Sequence, residues 1–169
     1  MTLTTISIIA ATAIHIVYNA ICLALFSIPE SLSNTYYLWN EKNGKGWLFP
    51  LMMYLVVALM MPAWISLSEG SDFQFLAFLA PASIAFVGTA PRFKDSQLES
   101  RVHTISAIIA AVCSLLWVAL VTPYWMAIPI YVVFEGAKAF FSKTYKTAYT
   151  YWLEQVAFGS TFTAAIMYS

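Results

Sequence analysis

Six apolar stretches follow one another along the chain, at about residues 3–28, 47–68, 73–90, 102–121, 125–141 and 150–168, with only short polar segments between them. About 20 apolar residues cross the roughly 30 Å hydrocarbon core of a bilayer as an α-helix. Only 9% of the 169 residues are charged, against about 25% in soluble domains. Too few polar side chains remain to cover a water-facing surface, so most of the exterior is expected to face lipid. The expected fold class is all-α, a polytopic membrane bundle of six transmembrane helices. It forms a single domain over residues 1–169, with no length left for a soluble one.

The basic residues orient this arrangement. All eight Lys and Arg lie in or beside the first, third and fifth connections: Lys42 and Lys45; Arg92, Lys94 and Arg101; Lys138, Lys143 and Lys146. Lys and Arg concentrate in cytoplasmic loops. Six spans put the three basic connections on one side, whereas a five-span reading that merges the helices around Pro123 splits them between two faces. The expectation is therefore odd loops in the cytoplasm and both termini non-cytoplasmic, in a multi-pass protein of a cell membrane, taken here as a bacterial cytoplasmic membrane. The first apolar run lacks a basic n-region and continues past Ala10-Ala11-Thr12-Ala13, so it reads as a retained span rather than a signal peptide. Trp39, Trp47, Tyr149 and Trp152 fall near the cytoplasmic boundary and Trp64, Tyr124, Trp125 and Tyr168 near the opposite one, as aromatic belts require.

Net charge is zero, which leaves no basic patch large enough for nucleic acid. The lipid bilayer is the partner the composition demands. Cys22 and Cys113 fall inside spans without CxxC or zinc-knuckle spacing and read as packing residues. Pro62, Pro81 and Pro129 also lie inside spans, where each is expected to remove an intrahelical hydrogen bond and kink its helix.

Polar residues within the spans carry the functional signal, because a charge at a helix centre costs about 2.5–3.5 kcal/mol on insertion scales and normally faces the bundle interior or a wet cavity. His15 and Asn19 are four apart on span one, on a face shared with Ser7, Ala11 and Cys22. His103 opens span four, followed by a stripe of Ala107, Ala110, Ala111 and Ser114. Glu135 stands one turn from Lys138 on span five, an arrangement that suits an intrahelical ion pair. Glu154 begins span six, ahead of a small face of Ala157, Thr161 and Ala165, and favours the positive end of its own helix. At 1.5 Å rise per residue, His103, Glu135 and Glu154 share a layer roughly 4–10 Å inside the cytoplasmic boundary, with His15 about 18 Å in. A cavity open to the cytoplasm and lined by His15, Asn19, His103, Glu135 and Glu154 would serve to bind or pass a small solute or proton. The small-residue stripes suit helix packing equally, within one chain, in a homo-oligomer or against another membrane protein.

Cofactor motifs are absent: no GxSxG, no HExxH and no phosphate loop before Lys45, so no cofactor is expected. His15 and His103 differ in depth by roughly 14 Å, too far to share one metal. A set of His103, Glu135 and Glu154 is the remaining metal arrangement, and metal-dependent hydrolysis of a lipid headgroup is the enzymatic alternative it would serve.

The stretches Ile28-Pro29-Glu30-Ser31-Leu32-Ser33-Asn34-Thr35-Tyr36-Tyr37, Phe86-Val87-Gly88-Thr89-Ala90-Pro91 and Arg101-Val102-His103 resemble those of small bacterial and phage membrane proteins of similar length. That resemblance implies a multispanning helical fold and no particular activity. Membrane-embedded hydrolases related to alkaline ceramidases use several histidines with Ser and Asp across seven spans. This chain departs from them, with two histidines and no His-x-x-x-His pair.

Overall fold

Apolar runs interrupted by caps and short polar turns become seven α-helices and no strands. In the computed structural model, which describes residues 1–169, these are α1 (Leu3–Phe26), α2 (Thr35–Asn43), α3 (Leu48–Leu67), α4 (Leu76–Thr89), α5 (Gln97–Val121), α6 (Ala127–Phe141) and α7 (Tyr149–Tyr168). Three of them, α1, α3 and α5, are long and apolar enough to cross a membrane. With 14 and 15 residues, α4 and α6 are shorter; at 1.5 Å per residue they rise only about 21–23 Å.

Local chemistry sets the ends. The Thr2 hydroxyl accepts the Thr5 N–H at 3.1 Å, and Ser96 receives Glu99 N–H at 3.5 Å, so both α1 and α5 start on side-chain caps. The Ser96 cap starts α5 five residues ahead of the expected span, before the charged residues Glu99 and Arg101. Between α1 and α3 the expected polar loop instead contains α2, which closes at Gly44 in the left-handed region (φ 70°). Pro62 and Pro81 lie within α3 and α4. Pro129 is different: it sits in the first turn of α6, where its missing N–H has no intrahelical partner to lose.

Packing runs in sequence order from α1 to α3 to α4 to α5, and α7 closes the bundle by lying against α5, α1 and α3. The sixth helix is held chiefly by α7. Ile8, Phe49, Val56, Trp117 and Val118 are fully enclosed, and Ala11, Ala77, Ala80, Ala164 and Ala165 allow close helix approach. Trp117 Nε1 donates to Ser68 Oγ at 2.7 Å, and Ser68 Oγ donates to the Trp64 carbonyl at 2.7 Å, which ties the end of α3 to α5. Outside, Ile108, Val112, Ile130, Val133 and Leu153 are half exposed or more. Apolar surface of that extent is the surface of a membrane protein rather than of a water-soluble one.

Candidate functional site

The small residues of α5 and α7 leave space where the two helices face each other. Ala107, Ala110, Ala111 and Ser114 on α5 and Ala157 and Thr161 on α7 form two sides of a cavity of about 70 Å³; Met53, Val56 and Trp64 of α3 and Ile84 and Val87 of α4 complete it. This is room for a few waters or one small solute. Its walls are mainly apolar, and its polar groups are few. Glu154 lies among the lining residues, the Ser114 hydroxyl is turned back onto the Ala110 carbonyl at 2.7 Å, and Trp64 Nε1 and Thr161 Oγ1 are buried without a hydrogen-bond partner.

Glu154 is anchored as well as exposed to this space. One carboxylate oxygen accepts the Leu32 N–H at 2.6 Å, which fixes the segment between α1 and α2 to α7. Nearby, the Tyr151 N–H donates to the Glu30 carbonyl at 3.2 Å. The segment is fastened at several further points. Lys94 Nζ reaches Glu30 at 3.0 Å and Asn34 Oδ1 at 2.8 Å, and the Tyr18 and Thr35 hydroxyls lie 2.6 Å apart. The Tyr37 hydroxyl accepts the Lys94 N–H at 2.8 Å, and burial raises its phenol pKa above the ordinary range.

His103 belongs to the same fastening. Its Nδ1 is 3.0 Å from the Ala90 carbonyl and its Nε2 is 2.9 Å from Ser33 Oγ. A carbonyl can only accept, so Nδ1 carries the proton; in the neutral ring Nε2 then accepts from the Ser33 hydroxyl. The ring stacks on Phe93 with centroids 4.4 Å apart. Both nitrogens are engaged, and His103 does not line the α5–α7 cavity.

His15 and Asn19 come together as expected from their spacing. Asn19 Nδ2 donates to His15 Nε2 at 3.1 Å and to the His15 carbonyl at 3.0 Å. Asn19 Oδ1 accepts from Tyr151 at 3.2 Å and from Gln155 Nε2 at 3.3 Å, so one amide joins α1 to two successive turns of α7. His15 packs on Phe158 and Phe162, with ring centroids 4.3 and 5.4 Å apart. Those two phenylalanines line the cavity and separate the His15 network from it. Nδ1 of His15 is buried without a partner.

Glu135 is buried but paired: Lys138 Nζ lies 3.1 and 2.8 Å from its two oxygens. The layer of His103, Glu135 and Glu154 therefore does not become one site. Each has its own partner, and nowhere do three His, Cys, Asp or Glu side chains approach closely enough to hold a metal ion. The ligand set considered for a lipid-headgroup hydrolase is not assembled.

Comparisons with protein-family models, with curated proteins and with solved structures found no match.

Several contributing residues carried no distinct sequence signal. Ser33 and Leu32 act from a loop; Trp64 and Tyr151 read as belt aromatics. Gln155 and Thr161 were visible in the sequence, the one beside Glu154 and the other within the small face of α7, but not as site residues.

Proposed function

We propose that this chain is a six-span membrane protein whose spans are α1 and α3 to α7, with the three basic connections in the cytoplasm and both termini outside. Within it, the cavity between α3, α4, α5 and α7 takes up a proton or a small hydrogen-bonding solute at Glu154. The observation that carries this reading is the company Glu154 keeps. A carboxylate shares an otherwise apolar chamber with two buried groups that lack protein partners, Trp64 Nε1 and Thr161 Oγ1. Ionisable residues at membrane depth are expensive and mark ion, proton or substrate pathways by default. Buried polar groups without partners incur the full desolvation cost unless a ligand or water satisfies them.

Infrared spectroscopy of the full chain in bilayers tests this. The Glu154 carboxyl or carboxylate band is identified by its loss in Glu154→Gln, then followed through pH steps and transfer to heavy water. A Glu154 band that titrates or exchanges supports uptake; a band that does neither describes a sealed carboxylate and overturns the reading.

A second reading is purely architectural, and His103 favours it. This histidine, Asn19 and Glu135 all have protein partners, as groups would whose work is to join helices and loops. In that case the Gln variant would leave every binding property intact.

A further inference from the structure

A second hollow lies on the outside of the bundle. The sixth helix packs on α7 and barely on α5, and its second half stands away from the end of α1. Between them runs a groove of about 500 Å³. Leu23 of α1 and Ile28 just beyond its end form one wall, Phe134 and Phe141 of α6 the other, and Tyr151 and Trp152 of α7 the floor. Phe134 and Phe141 are 56% and 81% exposed, so much of both rings is left open on the outside of the bundle.

The mouth of this groove is cationic. Lys138 and Ser142 lie at its end, with Lys138 Nζ 5.0 Å above the Phe134 ring and 5.2 Å above the Trp152 ring. Glu135 pairs with Lys138. Lys143 and Lys146 follow in the next connection, where the two ion pairs of the chain leave both without a carboxylate. Over residues 131–154 the acids are Glu135 and Glu154, the latter turned into the bundle, so against Lys138, Lys143 and Lys146 the local charge is 3 − 2 = +1. Glu30, the nearest acid on the first connection, is occupied by Lys94 at 3.0 Å.

An apolar trough that ends in surplus positive charge is complementary to one class of molecule available at that depth. We propose that the groove binds an anionic membrane phospholipid, with its phosphate at Lys138 and one acyl chain between α1 and α6. The proposal rests on α6 lying in the membrane, but not on any role for Glu154. Basic pockets between transmembrane helices on the cytoplasmic side hold anionic headgroups in this way, each Lys or Arg near the surface contributing about 1 kcal/mol, or roughly fivefold in affinity. A zwitterionic lipid fills the trough equally well but gains nothing from the unpaired lysines.

Trp152 reports on the site directly. The full chain is reconstituted in bilayer discs containing phosphatidylcholine with a minor share of phosphatidylglycerol, the bromine-labelled chains being carried by one lipid or the other. The difference between the native chain and Trp152→Phe isolates quenching at the groove. The expected result is a severalfold preference for brominated phosphatidylglycerol at Trp152 and none at the exposed Trp47 and Trp125. Lys138→Gln should lower that preference roughly fivefold. Because that change strands the buried Glu135, Lys143→Gln with Lys146→Gln removes the surplus charge without touching the ion pair and should lower it too; an unchanged preference overturns the groove. Equal quenching by both lipids at Trp152, with Trp47 and Trp125 still quenched, means ordinary boundary lipid and overturns the groove alone. Absence of quenching at all three tryptophans overturns both the groove and the membrane placement of α6.

Discussion

The carboxylate of Glu154 accepts the backbone N–H of Leu32 at 2.6 Å, so the last helix of the chain holds its first connection across 122 residues of sequence. Leu32 is fully buried, and between Ser27 and Asn34 the backbone has left α1 and not yet entered α2. Peptide groups buried there need partners from elsewhere. The spans supply two of them, the Glu154 carboxylate for the Leu32 N–H and the Tyr151 N–H for the Glu30 carbonyl, while His103 holds the side-chain hydroxyl of Ser33. A hydrogen bond to a carboxylate is about twice as strong as a neutral one. Protonation of Glu154 would therefore weaken the bond to the first connection as well.

Removing the carboxylate and neutralising it should differ in effect. Glu154→Ala leaves the buried Leu32 N–H without an acceptor and should destabilise the chain by about 1–3 kcal/mol. Glu154→Gln keeps a carbonyl oxygen on a side chain of the same length, so it should lose less than half as much. Thermal unfolding in detergent, followed by tryptophan fluorescence, checks the order. Equal losses for the two variants would show that Leu32 does not depend on this oxygen.

The positions of the apolar helices were legible because long apolar runs admit few alternatives, and so were polar pairs within one helix, whereas polar partners on other elements were not. The stripe of Ala107, Ala110, Ala111 and Ser114 marks the cavity wall because small residues at helical spacing leave room on one face. Depth arithmetic places His103, Glu135 and Glu154 near one level but says nothing of direction around each helix axis. It thus misses that His103 turns to a loop 70 residues away, whereas the pairing of Glu135 with Lys138 was legible from their spacing within one helix. The second helix was hidden because Thr35–Asn43 has neither a long apolar run nor a side-chain cap; its clearest mark, Gly44, reads equally as a turn.

The His103–Ser33 bond should be measurable as a coupling. His103→Ala removes a ring stacked on Phe93 and strips a partner from both Ser33 and the Ala90 carbonyl, and should destabilise by about 2–4 kcal/mol. Ser33→Ala removes one hydrogen bond and should cost about 1 kcal/mol. Residues in direct contact couple by about 0.5–3 kcal/mol, so the double variant should be less destabilised than the sum. Strict additivity in denaturation would mean that the bond does not form in the membrane. Nitrogen NMR of the imidazole adds an independent check, with the proton expected on Nδ1.

Topology is open to labelling. With Cys22 and Cys113 both buried and free, single reporter cysteines at half-buried Ser71 and exposed Lys45 can be scored with a membrane-impermeant maleimide on intact cells. Ser71→Cys in the connection between α3 and α4 should label from outside, and Lys45→Cys only after lysis. Lys143→Cys should follow Lys45→Cys. If Lys45→Cys and Lys143→Cys label from opposite sides, the connections do not alternate as six spans require.

Gly159 tests how closely α6 must approach α7. A Cβ built at this position would overlap the Tyr131 ring, whose hydroxyl is 2.9 Å from that of Thr163 one turn further along α7. The ring cannot swing away without losing that contact, so Gly159→Ala should push α6 outward. Overpacking of this kind costs typically about 1–3 kcal/mol. Since α6 is anchored mainly by α7, the displacement should remain local, and the bonds of Glu154 and His103 should persist. Tyr131→Ala in the same chain removes the obstructing ring and should recover part of the loss, whereas Tyr131→Phe keeps the ring and should not. Unfolding midpoints of the three variants decide the matter. A Gly159→Ala chain as stable as the original, with or without Tyr131, would mean that the two helices are not in close contact at this level.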